Sequence, residues 1–454
     1  MSTRALARAL LVADSLVALA LLLAFPGAGQ AAGPTYRILD LGTLGGSSSK
    51  AYALNDSEVV VGMSLSSGSV QQLRAVRWVH GAIADLGTLG GSQAEAYAVD
   101  PVGVAVGYAT NGDGVAHAFR RDGSGMEDLG TLGGSVSYAY GVTASGMVVG
   151  TSAIPGDIYT HAFLRSAGGS MTDLGTISGG TRSYAYAVDE SGWVVGHSHV
   201  ASGDVHAFLR TPGSPGLLDL GTLGGSNSYA TALYQDGPFQ IVGSSQTTGN
   251  TAQHACYWDN YQRIQDMGSL GGTYATAYAI NRRSEVVGTS TTSGGAQHAF
   301  YWSGTGALQD LNSFVPPDSD WVLVEARGIN YSGSIAGWGL HHGATRAFLL
   351  QLQYSTGVGG RPQEGVSFRG PRTNPMSSNT MLDFELPSAC RVQLDLYDVL
   401  GRRLRGWDAQ LGPGAHALAW DGRDGAGRPV GSGMYWARLR AAGVDLTRRV
   451  TVIR

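Results

Sequence analysis

The heptapeptide Asp-Leu-Gly-Thr-Leu-Gly-Gly constrains this chain more than any other feature. It stands intact at Asp40, Asp85, Asp128 and Asp219, with variants at Asp173, Asp266 and Asp310. Successive copies start 45, 43, 45, 46, 47 and 44 residues apart. Three further patterns keep step with it. Ala-Tyr-Ala-Leu-Asn begins at Ala51 and is echoed from Ala96, Ala139, Ala185, Ala230 and Ala277, and as Ala-Arg-Gly-Ile-Asn from Ala326. Val-Val-Gly or a close variant ends at Gly62, Gly107, Gly150, Gly196, Gly243 and Gly288, with Ala-Gly at Gly337. His-Ala-Phe stands at His117, His161, His206 and His298, varied as His254-Ala-Cys, Arg74-Ala-Val and Arg346-Ala-Phe.

Each pattern is short, rich in β-branched or aromatic residues, and bounded by Gly, Asn, Asp or Ser, so each reads as a strand. Asn55-Asp56-Ser57 and Glu190-Ser191-Gly192 read as hairpin turns between the second and third patterns. Four strands in ~45 residues is the period of a propeller blade, whereas a helical solenoid would show a 3.6-residue period. With the Asp-Leu-Gly strand outermost, the seventh repeat ends near Leu352 without its outer strand. A spare one, Tyr36 to Leu41, precedes the first repeat. Joining the two closes a ring and removes open strand edges. The expected fold is therefore all-β: a seven-bladed β-propeller over residues 35–353, closed by the N-terminal strand.

The flanks differ. Arg4 and Arg8, an apolar run from Ala9 to Phe25 and small residues up to Ala31 read as a signal peptide over 1–31. No other segment could span a membrane as a helix, so the mature chain is expected to be exported without a span, to the medium or the cell surface. Residues 354–373 turn to Gly, Pro, Arg and Gln and read as a linker. Alternation returns over 374–454, around Val392, Leu394 and Leu396 and then Leu418, Trp420, Tyr435 and Leu439, as a small C-terminal β-sandwich.

Two sets of motifs resemble known families. The paired Asp-Leu-Gly-Thr-Leu-Gly-Gly and His-Ala-Phe patterns, over about residues 36–352, resemble the HAF-family extracellular repeats, which implies an exported bacterial protein and brings no catalytic residues. At the C-terminus, Leu396-Tyr397-Asp398-Val399-Leu400-Gly401-Arg402, Trp420-Asp421-Gly422-Arg423-Asp424 and Gly433-Met434-Tyr435-Trp436 resemble the FlgD-like immunoglobulin-like domain. They resemble equally the related sorting domains of type IX secretion. That resemblance implies a module for export or anchoring, with export machinery as a partner.

Charge and composition narrow the chemistry. Residues 32–360 hold 14 Lys+Arg against 24 Asp+Glu, and residues 361–454 hold 14 against 9. An acidic main body is a poor footprint for nucleic acid. Cys256 and Cys390 are the two cysteines, so neither a disulfide framework nor a zinc site is expected, and Lys50 is the single lysine. No cofactor or metal is implied. His117, His161, His206, His254 and His298 recur once per blade, and no enzyme needs five copies of its base around a ring. They read as structural, an imidazole tying a strand end to backbone or to the blade's Asp. The paired glycines lack the Lys-Ser/Thr of a phosphate loop. Gly196-His197-Ser198-His199-Val200 lacks the last Gly of a nucleophile elbow. Asp113 and the pair Asp421/Asp424 suit turns better than calcium, and His341-His342 has no carboxylate or Cys beside it in sequence.

Function is expected where the repeats differ. Four residues after the second Gly stand Lys50, Glu95, Tyr138, Tyr184, Tyr229 and Thr276, with Glu325 at the matching place in the seventh repeat. This position is expected at the mouth of the central channel. Tyr138, Tyr184 and Tyr229, with Glu95, Lys50 and Glu325, are the candidate ligand site for a glycan or a protein partner. The residue two further on is mostly Tyr and is expected in blade-to-blade core. The leading expectation is a non-enzymatic binding propeller. A polysaccharide lyase or hydrolase using Glu95, Glu325 and Tyr184 is the alternative, and a structural or adhesive surface component is the second.

Overall fold

A computed structural model of the chain describes residues 35–234, 239–259, 263–353, 366–371, 374, 376–386, 389–398, 402–412, 414–441 and 444–454. The expected signal peptide and most of the expected linker lie outside them. Among the described residues the architecture is all-β, small antiparallel sheets with two short 3-10 turns, Thr248–Asn250 and Leu311–Phe314.

After a first strand, β1 (Thr35–Asp40), come β2 (Gly45–Leu54), β3 (Val60–Ser66), β4 (Leu73–Val79) and β5 (Ala82–Gly87), hydrogen-bonded in the order β2-β3-β4-β5. The same four-stranded antiparallel unit recurs over 90–128, 137–173, 183–219, 224–268 and 271–310. In the last unit, Trp321–Ile329, Ile335–His341 and Ala344–Gln353 are joined by β1, with Thr35 opposite Gln353 and Asp40 opposite Phe348. The fifth and sixth units touch through one parallel pair, Gln253 with Tyr274.

The repeated residues are the ones this packing demands. The Phe of His-Ala-Phe is fully buried at 119, 163, 208 and 300, as is Phe348 of Arg346-Ala-Phe, and the Ala before each is buried too. At internal seams that Ala's N–H donates to a Ser of the next unit: Ala118 to Ser137 (2.8 Å), Ala162 to Ser183 (2.8 Å), Ala207 to Ser228 (2.9 Å). The last unit makes the same bond to the first, Ala347 to Ser49 (3.1 Å), and Asn330 Nδ2 reaches the Asn55 carbonyl (3.3 Å). The series therefore closes on itself, in a propeller-like ring. Its inner strands are too short to bury their faces alone and are held by neighbours on both sides.

The Gly of Val-Val-Gly has a steric reason. A Cβ on Gly62, Gly150 or Gly243 would sit 2.0, 1.9 or 1.8 Å from the backbone oxygen of Lys50, Tyr138 or Tyr229. Each of these glycines faces a β-bulge in the inner strand, where the register skips one residue, as between Ala51 and Ala53.

At the C-terminus, Ser367–Pro371, Thr380–Leu386 and Gly414–Trp420 form a three-stranded sheet. Arg403–Leu411, Cys390–Asp398, Gly433–Ala441 and Val444–Val452 form a four-stranded one. Phe368, Phe384, Leu394, Leu396, Trp420 and Leu439 pack together as its core. Ser367–Pro371 corrects the expected linker over 354–373. Its Gly and Pro suit an edge strand with a bulge between Phe368 and Gly370, so this domain begins before residue 374.

Candidate functional site

The skipped residue of each bulge is Tyr52, Tyr97, Tyr140, Tyr186, Thr231, Tyr278 and Arg327, in units one to seven. Freed from the ladder, a bulge residue is re-aimed. All seven line one open cavity of about 820 Å³. This corrects the expectation that these tyrosines are blade-to-blade core. Simple alternation cannot foresee a bulge, although the invariant Gly opposite it was a usable signal.

The side chains form a belt. Ring centroids lie 5.6 Å apart for Tyr52–Tyr97, 5.4 Å for Tyr97–Tyr140 and 5.2 Å for Tyr140–Tyr186. The Arg327 guanidinium lies 3.8 Å from the Tyr278 ring centre and 6.0 Å from that of Tyr52. Burial pushes the phenols of Tyr52, Tyr97, Tyr140, Tyr186 and Tyr278 well above their ordinary value. They stay neutral donors at any physiological pH. Thr231 alone interrupts the belt with a short side chain, its hydroxyl donating to Ala277 O (2.7 Å), with Val242 O at 3.0 Å.

The positions expected at the mouth stand two residues earlier, and the structure divides them. Glu95, Tyr229 and Thr276 border the cavity. Burial raises the Glu95 carboxyl above its usual range, against the opposing hydrogen bonds from Tyr52 and Tyr108 and the charge of Lys50. Tyr138 and Tyr184 stand beside the cavity. Tyr138 packs 5.2 Å from Tyr108, while Tyr184 lies flat on His197 at 4.7 Å and accepts from Thr160 (3.2 Å). Lys50 sits over the Trp338 ring at 4.0 Å. Glu325 accepts from Arg327 (2.7 Å), Trp338 Nε1 (3.0 Å) and Gln297 (3.3 Å), so it faces a charge partner rather than open space.

His197, which the sequence offered only as a weak nucleophile-elbow remnant, is buried between Tyr184, Tyr186 and Tyr229, with Nδ1 unpartnered. Burial pushes its imidazole down to about 3, so it is neutral at physiological pH.

The repeated histidines lie away from the cavity. His117, His161, His206, His254 and His298 each place Nδ1 at 2.6–2.9 Å from the Asp of their own unit. That Asp also accepts from the Gly two residues on in the first four, for example Gly130 N to Asp128 (2.8 Å). In the first unit Arg74 takes the place of His, and Asp40 of β1 pairs with His341 (2.8 Å) rather than with Arg346. These pairs are partly solvent-exposed, with His side chains at 19–24%. They pin the outer strand and its crossover loop. Among the described residues no cluster of three His, Cys, Asp or Glu could hold a metal.

No family model and no curated protein matches this chain. Among solved structures it is similar to PorZ, a surface component of the type-IX secretion system of Porphyromonas gingivalis (14% identity, TM-score 0.40), over 89% of this chain and 59% of that one. It is similar to YCF48 bound to D1 peptide (12% identity, TM-score 0.41), over 72% of this chain and 97% of that one. A third is the SapL1 lectin in complex with alpha methyl fucoside (14% identity, TM-score 0.33), over 67% and 96%. The chain thus spans about three fifths of PorZ's length, and at these scores no activity is carried over from any of them.

Proposed function

We propose that this is an exported, non-enzymatic seven-bladed β-propeller, closed by its N-terminal strand, that binds an extracellular ligand in its central channel. In this reading the ring is of the HAF-repeat type. The C-terminal sandwich is a FlgD-like immunoglobulin-like module serving export or attachment at the cell surface. The observation that carries the reading is the bulge-borne tyrosine belt around the cavity. Neutral aromatic faces with hydroxyl rims are a binding surface rather than a proton-transfer site. The cavity volume falls within the usual few hundred to about 1,000 Å³ of ligand sites. Glu325 is held by Arg327, and among the described residues lining the cavity Glu95 is the one carboxylate.

Glu95 also favours the rival reading, a polysaccharide lyase or hydrolase, because a carboxyl raised by burial suits a general acid. Arrays of glycans and of peptides, run beside an assay for polysaccharide cleavage, separate the two. Binding without cleavage is expected. In the double variant Tyr97→Leu/Tyr186→Leu, stacking worth ~0.5–1.5 kcal/mol per ring is lost. Affinity should then fall roughly ten- to a hundredfold while the fold remains. The triple variant Tyr138→Ala/Tyr184→Ala/Tyr229→Ala tests the outer layer in the same assay. Cleavage that is lost in Glu95→Gln would replace the binding reading with the enzymatic one.

A further inference from the structure

The cavity is not symmetric. In six units it is bordered by the inner strand alone, whereas at the fifth it also reaches Ser244 of the second strand and Gln253 of the third. Two short side chains, together in the fifth unit, open this extension. Thr231 stands where four other units carry Tyr on the bulge and the sixth carries Tyr278. Ser244 stands across from Tyr229, at a place where the second, fourth and seventh units carry a ring (Tyr108, His197, Trp338) and the first, third and sixth carry Met63, Thr151 and Thr289. The missing ring volume lies at the seam between units five and six, where Gln253 pairs with Tyr274.

The walls of this recess alternate polar groups with aromatic ones. Gln253 Nε2 donates to Ser244 Oγ (3.1 Å) and to Thr276 Oγ1 (3.1 Å), and Thr276 donates to Tyr274 Oη (3.2 Å). Its amide hydrogens are thereby used within the chain, leaving its carbonyl oxygen as an acceptor. Tyr229 and Tyr278 flank the string. Among the described residues no charged side chain borders the recess itself, and the cation on the belt, Arg327, is neutralised by Glu325.

Resting on the channel-binding reading above, we propose that the recess between units five and six is a specificity pocket for one uncharged pyranose ring of a saccharide. Such a ring offers a C–H face to tyrosine and several hydroxyls to the Ser244–Gln253–Thr276 string. An aromatic side chain of a peptide would meet those polar atoms with carbon, and a uronic acid would bring a carboxylate to a site without a free cation.

The test uses neutral tetrasaccharides of glucose, mannose and galactose, their uronic-acid counterparts, and extended octapeptides containing Tyr or Phe, each titrated calorimetrically. The parent should bind at least one neutral saccharide and none of the uronic or peptide probes comparably. Thr231→Tyr, which completes the belt with a residue already used at five equivalent places, should lower that affinity by more than about tenfold. Its melting temperature should fall by no more than a few degrees, through the lost hydroxyl bond to Ala277 O. Gln253→Ala should lower affinity by roughly three- to tenfold through the lost acceptor. A saccharide affinity that survives Thr231→Tyr but falls in Tyr97→Leu/Tyr186→Leu overturns the pocket and leaves the channel reading standing. Affinity untouched by either variant overturns both. Preference for a peptide or a uronic acid, or no saccharide bound at all, overturns the ligand class.

Discussion

Units five and seven stand on the same ring with the same strand order, yet they treat the channel in opposite ways. The fifth removes bulk, with Thr231 where five other units carry Tyr and Ser244 where three carry a ring. The seventh adds charge, with Arg327 in the belt, Glu325 and Trp338 behind it, and Lys50 of the first unit laid on Trp338. The fifth presents a recess of neutral polar groups, whereas the seventh presents a filled, charge-balanced wall. The scaffold residues are the same in both, with Gly243 and Gly337 opposite the bulge and Ala255 and Ala347 buried. A repeat can thus hold its packing constant and vary its inner surface, because the bulge separates the two tasks.

The contrast is broken most forcefully at Arg327. Arg327→Leu should cost about 3–5 kcal/mol, because it leaves the buried Glu325 carboxylate without its charge partner, with the Trp338 and Gln297 hydrogen bonds alone. Thr231→Tyr should cost only about 1–2 kcal/mol, because it gives up one hydroxyl hydrogen bond to the Ala277 carbonyl and leaves no charge unpaired. Urea unfolding of both variants decides it, and equal losses would mean that the seventh unit's ion pair is not a structural commitment.

The shared half of the comparison is tested next. Gly243→Ala and Gly337→Ala should each cost about 3 kcal/mol, at the upper end for overpacking, since the added methyl meets a backbone oxygen. Should one unit accept Ala within about 0.5 kcal/mol, the bulge would not be equally rigid on both sides of the ring.

The smallest effect, per unit of pH, is a pH dependence at His197, on the fourth unit beside the recess. Its folded imidazole titrates near 3, below the ordinary 6.5, so the unfolded chain binds the extra proton between those values. Its contribution to stability is complete above pH 6.5 and falls as pH drops toward 3, by at most about 1.4 kcal/mol per pH unit. His197→Thr, the residue type found at the matching Thr151 and Thr289, should flatten that slope in thermal melts from pH 7 to 4. An unchanged slope would show that carboxylates elsewhere dominate the acid response.

What the sequence by itself determined is the set of strands and their order within a repeat. The Gly of Val-Val-Gly, the Ala-Phe after His and the Asp before Leu-Gly recur because a backbone contact, a buried seam and a crossover loop each require them in every unit. Those requirements are local, and they repeat, so they are visible in one chain. The place of β1 beside Ala344–Gln353 follows from the same counting. The inner surface was legible only in part. The variable position of Glu95 and Tyr229 was marked by its chemistry, but its neighbours Tyr97, Tyr140 and Tyr186 looked like core because they repeat. Only the tertiary structure decided that they face the channel, since a one-residue bulge turns them out of the ladder without altering the pattern around them. Likewise Thr231, Ser244 and Gln253 are unremarkable in sequence and come together only where the third strand of one unit meets the inner strand of the next. A recess is made by what neighbouring units leave unfilled, and that volume exists only after the ring has closed.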